Sequence, residues 1–248
     1  MDLQDRQKTI LEALVRQYVK TAVPVSSQDL QETFKLPFSS ATIRNDFKIL
    51  DKKGYLSKPH ISAGRIPTDK AYRFYINGHE EAPSLRRRDR LKPLSTLAKE
   101  SKTEEAFLRD SAAILSAMTK SFTAVGIAGG GAFFKYGFSE ILHEPEFSNQ
   151  DLARNFSEFI DGFEIQIHSI LKEVTEHTPE AFIGQENPLK GAREYGMVIY
   201  AYTPETEGQK KKNGKHTVTL MGPKRMDYER HISILKEFDE VVREFYGA

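Results

Sequence analysis

The chain has no cysteine. Disulfides, thiolate catalysis and cysteine-built zinc fingers are therefore excluded, and the composition is compatible with a reducing cytoplasm. It also lacks any apolar run of the roughly 20 residues that a membrane-spanning helix needs, and no secretory signal opens it, so a cytoplasmic protein is expected. Short catalytic motifs are missing too. Gly129-Gly130-Gly131 is not G-x-G-x-x-G and no Gly-Lys-Ser/Thr follows it, so it reads as a turn rather than a phosphate loop. His143-Glu144-Pro145-Glu146 is not H-E-x-x-H, and Pro145 blocks a regular helix there. No G-x-S-x-G elbow marks a nucleophile. The expectation is a protein without cofactor, metal or enzymatic activity.

What is present is uneven in charge. The net charge of the 248 residues is +1, but residues 1–90 hold 17 lysines and arginines against 11 aspartates and glutamates, and residues 91–248 hold 19 against 24. A basic first part suits a polyanionic partner; an acidic second part does not.

The basic part carries a sharply defined pattern. From Ser39 to Thr68 the sequence reads as a helix followed by a basic hairpin. Ser39 or Ser40 caps the helix. Ile43, Phe47 and Leu50 share one face, while Ala41, Asn45, Lys48 and Lys52 share the opposite one, with Thr42 and Arg44 at its flanks. Gly54 supplies a left-handed stop. Tyr55-Leu56 begins a strand, residues 57–65 have the composition of a hairpin tip, and Ile66 returns toward the core. Upstream, residues 5–20 predict a helix, Pro24 ends it, and Ser26 or Ser27 caps a second helix with Leu30 and Phe34 inward. Downstream, Pro67-Thr68-Asp69 opens a helix that ends near Gly78. The sum is a winged helix-turn-helix over residues 1–78.

Candidate DNA contacts are Ser40, Thr42, Arg44, Asn45, Lys48, Lys52, His60 and Arg65. Asn45 and Lys48 have the chemistry to read base edges in a major groove; Arg44 and Thr42 suit phosphates. Arg65 on the wing suits a narrow minor groove, and His60 is weighed against a local backbone cap. Elsewhere a solvated helix face is the default, and the same default applies to the charge runs Arg86-Arg87-Arg88 and Lys210-Lys211-Lys212.

Residues 79–96 read as a linker, with 97–248 as a second, α+β domain. Helical periodicity is expected from about 97 to 120 and again from Leu152 to Val174, where the Phe156–Phe163 stripe reads as core. Strands are expected at 122–128, 196–202 and 216–221, a polar loop with a tight Asn213-Gly214 turn at 203–215, and a final amphipathic helix from Met226 to Phe245. The Leu97–Met118 stripe, with no cover in the winged helix, is the expected dimer contact. The long sequence separation between strands marks this half as the slower to fold and the more prone to aggregate.

Several blocks resemble the HrcA family of heat-inducible transcription repressors. They are Pro24-Val25-Ser26-Ser27, the run Ser39 to Asp46, Gly54-Tyr55-Leu56, and the long block Pro59 to Lys70. Further on, Pro145-Glu146-Phe147, Gly184-Gln185-Glu186-Asn187 and Gly222 to Tyr228 resemble landmarks of that family's GAF-like domain, in the family's order. The resemblance implies a winged helix followed by a GAF-like α+β domain. It also implies repression of chaperone operons, binding as a homodimer to double-stranded operator DNA of the inverted-repeat CIRCE type, and assistance from the GroE chaperonin. The chain departs from the family in being short between the winged helix and the GAF-like landmarks and around residues 175–195. There is no room for a full inserted dimerisation domain. A different reading keeps the winged helix but has the GAF-like domain answer to a small-molecule effector.

Overall fold

The computed structural model describes residues 3–59, 64–78, 92–129, 131–206, 209–210 and 214–247. His60, Arg86-Arg87-Arg88, Gly130, Lys211, Lys212 and Asn213 lie outside them, as does most of the expected linker. The chain divides into two compact units, Met1–Glu81 and Ala82–Ala248.

The first unit contains α1 (Asp5–Thr21), α2 (Ser27–Phe34), α3 (Ser40–Lys52), β1 (Leu56–Ser57), β2 (Ile66–Pro67) and α4 (Asp69–Asn77). Ala22, in the left-handed region, ends α1 just before Pro24, and the Ser26 hydroxyl caps α2 by accepting a bond from the Asp29 N–H at 3.1 Å. Ile10, Leu14, Leu30, Ile43, Phe47 and Leu50 are buried together with Leu11, Val15 and Tyr72. β1 and β2 pair antiparallel, Leu56 opposite Pro67 and Ser57 opposite Ile66. Thr68 precedes α4 but does not cap it with its side chain; its hydroxyl instead turns back to the Gly54 and Tyr55 carbonyls at 2.8 and 3.0 Å. It thereby ties the start of α4 to the end of α3.

The second unit is an antiparallel sheet covered by helices on both faces. Two helices lead in, α5 (Lys92–Glu100) and α6 (Glu104–Thr119), so the expected linker over 79–96 gives way to helix at Lys92. Then come β3 (Phe122–Ile127), β4 (Phe133–Tyr136), α7 (Phe138–Leu142), α8 (Gln150–Asp161), α9 (Phe163–Ile170), β5 (Glu180–Ile183), β6 (Tyr195–Tyr202), a small β7–β8 hairpin (Glu205–Thr206, Gln209–Lys210), β9 (His216–Pro223) and α10 (Tyr228–Tyr246). The strand order is β4-β3-β9-β6-β5. β6 and β9 run side by side over eight residues, from Tyr195 opposite Pro223 to Tyr202 opposite His216. Both are buried at every position, as strands covered on two faces must be.

Side chains alternate along β6. Tyr195, Met197, Ile199 and Ala201 join the cluster made with Phe156, Phe159 and Phe163 of the α8–α9 layer. The residues between them face the other layer: Tyr200 packs on Phe238 of α10, and its hydroxyl donates to Asp239 at 2.6 Å. The single helix expected over 152–174 is two helices, because Gly162 caps the end of one and starts the next. β4 and β5 were not foreseen; both are four-residue strands at the sheet edges.

The expected dimer stripe takes a different place. Leu97, Phe107, Leu108 and Leu115 are buried within the unit itself. Phe107 stacks on Phe245 of α10 at 4.0 Å. Most of this stripe is therefore core of the unit, with Ile114 and Met118 half-buried.

Two of the unit's polar ties hold the start of α10. Arg225, in the loop before α10, forks onto Glu146 at 2.6 and 3.0 Å and also reaches Glu144. The two glutamates of the His-Glu-Pro-Glu segment are thus a clasp for the Gly222–Tyr228 loop, and Asp227 rather than Arg225 caps α10. His231 of α10 is the second tie, with Nε2 3.2 Å from the Thr119 carbonyl. Burial holds its pKa below the ordinary value, against the Thr119 carbonyl and Asp227, which favour the proton. In the unfolded chain this histidine takes up a proton near pH 6.5 while the folded one does not. Stability of the second unit is therefore present above that pH and is lost as pH falls through it, by at most about 1.4 kcal/mol per pH unit for one proton. Thermal melts at pH 7.5 and 5.5 are expected to show a drop on acidification that shrinks in His231→Gln.

Candidate nucleic-acid interface

Helix α3 is built from both ends. At its start the Ser39 hydroxyl accepts the Thr42 N–H at 3.2 Å, so Ser39 is the cap and Ser40 the first helical residue. At its end Gly54 takes φ +76°, the left-handed conformation that glycine adopts without strain. Between them, Ile43, Phe47 and Leu50 form the buried back.

The outward face carries Ala41, Arg44, Asn45, Lys48 and Lys52, all exposed, with Ser40 and Thr42 half-buried at the N-terminal edge. The side chains of Arg44, Asn45, Lys48 and Lys52 make no hydrogen bond or ion pair with a described residue. Three cations and an amide thus stand free on one ridge of a capped helix. Ile49 lies on the same ridge and is 38% exposed, a position that the apolar-back pattern alone did not single out. At about 100° per residue it sits close beside Asn45.

Arg65 occupies a different environment from the ridge. It stands at the root of the hairpin, bridged through its backbone to Val25 at 2.8 and 2.9 Å. Its side chain is 16% exposed, and Nε lies 3.3 Å from a carboxylate oxygen of Asp51 in the last turn of α3, an ion pair without an aligned hydrogen bond. Lys70 of α4 adds a further strut, donating to the Lys53 carbonyl at 2.9 Å and lying 4.3 Å from the centre of the Tyr55 ring. The structure therefore brings Ser40, Thr42, Arg44, Asn45, Lys48 and Lys52 onto one surface and pairs Arg65 with Asp51 at the end of the helix, while His60 is outside the described residues.

Asp46 is the residue that sequence reasoning passed over. It is 1% exposed, on the buried flank of α3, and Arg6 of α1 holds it with two bonds, Nε at 2.7 Å and Nη2 at 3.3 Å. A carboxylate in a helix whose other side faces solvent gave no signal of this, because its partner lies 40 residues earlier.

A family model described as "Winged helix-turn-helix transcription repressor, HrcA DNA-binding" matches residues 2–81. A second, "HrcA protein C terminal domain", matches residues 83–232, well over half of the chain. The chain belongs to the HrcA family.

Relatives within the HrcA family match over limited stretches. The "Heat-inducible transcription repressor HrcA" of Thermotoga petrophila is 56% identical over 73 residues, 29% of this chain and 22% of that protein. The one from Halalkalibacterium halodurans is 39% identical over 123 residues, 50% of this chain and 36% of that protein. The matched part of the chain thus spans between about a fifth and just over a third of these relatives' length. Among solved structures, "Crystal structure of a hypothetical protein at 2.2 A resolution" shares the fold at a TM-score of 0.77 and 19% identity, covering 99% of both chains. The residues matched by the winged-helix model include the free cationic ridge of α3.

The cap assignment is testable in the first unit. Ser39→Ala removes the bond to Thr42 and is expected to cost about 1 kcal/mol in denaturant unfolding, whereas Ser40→Ala stays within about 0.5 kcal/mol.

Proposed function

We propose that this chain is a transcriptional repressor of heat-shock chaperone genes that binds an inverted-repeat operator of the CIRCE type as a homodimer. The observation that carries the reading is the outward face of α3, where Arg44, Asn45, Lys48 and Lys52 are exposed without intramolecular partners. An uncommitted amide and ammonium suit adenine and guanine edges in the major groove, Ile49 suits a thymine methyl, and Arg44 and Thr42 suit phosphates. Ser40 adds a small polar contact at the helix start. Arg65 reaches a minor groove only by leaving Asp51, so its first role is to hold the wing root against α3. His60 belongs to the wing contact set by sequence alone.

An inverted repeat asks for a two-fold partner, and protein symmetry sets the half-site spacing. Residues beyond 95 are the expected source of that contact, by surfaces other than the Leu97–Met118 stripe. The second unit pairs strands far apart in sequence, such as Phe122 with Met221, and exposes aromatic and apolar core when it opens. That makes it the natural point of heat control and the natural substrate for the GroE chaperonin. An effector-controlled regulator is the second reading. It rests on a small cleft lined by His177, Tyr202, Thr203, Arg243 and Tyr246 in the second unit.

Binding to a CIRCE duplex is expected to weaken steeply with salt, with a log–log slope of about −4 or steeper from released counterions. Lys48→Ala is expected to relax discrimination at one or two base pairs by about 1–3 kcal/mol, while Arg44→Ala weakens all duplexes alike. A flat salt slope rejects the α3 ridge as the contact surface. A monomer on the operator rejects the dimer, and metabolite-dependent release at constant temperature favours the second reading.

A further inference from the structure

The outward ridge of α3 is useful only if it is aimed. A rotation of α3 by about 20° about its own axis displaces a side-chain tip, at a radius of about 6 Å, by about 2 Å. Hydrogen bonds to base edges fail well within that distance. Apolar packing of Ile43, Phe47 and Leu50 sets the depth of the helix and, by interdigitation, part of its angle, but it supplies no bond of defined direction.

A directional contact is present at Asp46. This residue lies about 100° round the helix from Asn45. It is 1% exposed, and the Arg6 guanidinium meets it with Nε at 2.7 Å and Nη2 at 3.3 Å, two bonds from a planar fork onto the two carboxylate oxygens. Such a pair fixes angle as well as distance. Arg6 stands at the start of α1, a helix outside the α2–α3 pair whose buried residues share a core with α3, so the fork references α3 to a neighbouring element. The second carboxylate of the helix, Asp51, meets Arg65 in a looser contact, an ion pair at 3.3 Å without an aligned hydrogen bond. Its position in the last turn opposes the helix dipole, so its presence is not explained by helix stability. Nor is the Arg6–Asp46 pair a strong stabiliser: Asp46 is buried but the Arg6 side chain is 42% exposed, and an ion pair open to water on one side contributes little.

We propose that Arg6 is a positioning residue for DNA recognition: through Asp46 it sets the rotation of α3, and with it the base discrimination of Asn45 and Lys48, without itself contacting DNA. The inference rests on the reading of α3 as the recognition helix and adds to it a residue from outside the helix-turn-helix.

The test uses the full chain with Arg6→Met, Arg6→Lys and Asp46→Asn. Each is titrated against the CIRCE inverted repeat and against a scrambled duplex of the same length, over a salt series, alongside a thermal melt. Arg6→Met is expected to reduce the ratio of the two affinities about tenfold or more, by weakening the inverted repeat alone, with the scrambled affinity and the salt slope unchanged. Arg6→Lys, which keeps a charge but not the fork, recovers part of the ratio, and Asp46→Asn matches Arg6→Met. If Arg6→Met does not fold, the lysine and asparagine variants carry the same comparison. Equal losses on both duplexes with a slope reduced by about one make Arg6 a phosphate contact and overturn the proposal. A lowered melting temperature with an unchanged ratio overturns it too, leaving the pair a purely structural tie. If the unmodified chain itself does not discriminate between the duplexes, the recognition-helix reading fails first, before any variant is compared.

Discussion

The ion pair between Arg6 and Asp46 joins the first helix of the chain to the one whose outer face is free. Around it the winged helix is arranged as a set of ties converging on α3: Ser39 at its start, Arg65 and Lys70 at its end, Thr68 across the following turn. The apolar back contributes area and interdigitation. Hydrogen bonds and ion pairs add restraint of defined direction. The cations that remain untied, Arg44, Lys48 and Lys52, are those on the opposite side. Charge on this helix is thus sorted by geometry, with both carboxylates paired to arginines, Asp46 buried and Asp51 part-exposed, and three cations turned outward to solvent.

The second unit solves a different problem. Its central strands β3, β9 and β6 are buried almost throughout, which requires a helical layer on each face. One layer is aromatic, with Phe156 meeting Phe122, Phe147 and Tyr195 edge-on. The other is α5, α6 and α10, where the hydroxyls of Tyr200 and Tyr246 donate to Asp239 at 2.6 Å and to Glu104 at 2.9 Å. The Arg225 clasp then fastens the loop after β9 to the segment after α7. A cation only 10% exposed between two carboxylates is costly to break, so this corner of the unit is held firmly.

Much of the first unit was legible because local rules and tertiary demands agree there. Pro24, the serine caps and Gly54 punctuate three helices whose apolar spacing is regular, and the helix ends fall close to where those residues stand. In the second unit the long strands were legible from continuous apolar runs, and α10 from its periodicity. β4 and β5 were not, because four residues at a sheet edge carry too little pattern to separate from loop. Leu152–Val174 read as one helix because the apolar spacing continues through Gly162; the break costs no periodicity, only backbone direction. The Leu97–Met118 stripe was visible as apolar, but its partner was not, since Phe238 and Phe245 arrive more than a hundred residues later.

By itself the sequence determined the winged helix, the outward residues of α3, the α+β character of the remainder and the family. These follow from short-range spacing, caps and long specific motifs. Only the tertiary structure decided which charges are committed and which are free. Arg65 and Arg44 are both single arginines in a basic stretch, yet one is paired to Asp51 and the other faces solvent. Glu144 and Glu146 resemble metal ligands until Arg225 is seen between them, and Asp46 is unremarkable until Arg6 reaches it. The reason is physical: helix and strand periods are written over a few residues, whereas an ion pair joins whatever the fold brings within 4 Å, at any distance along the chain.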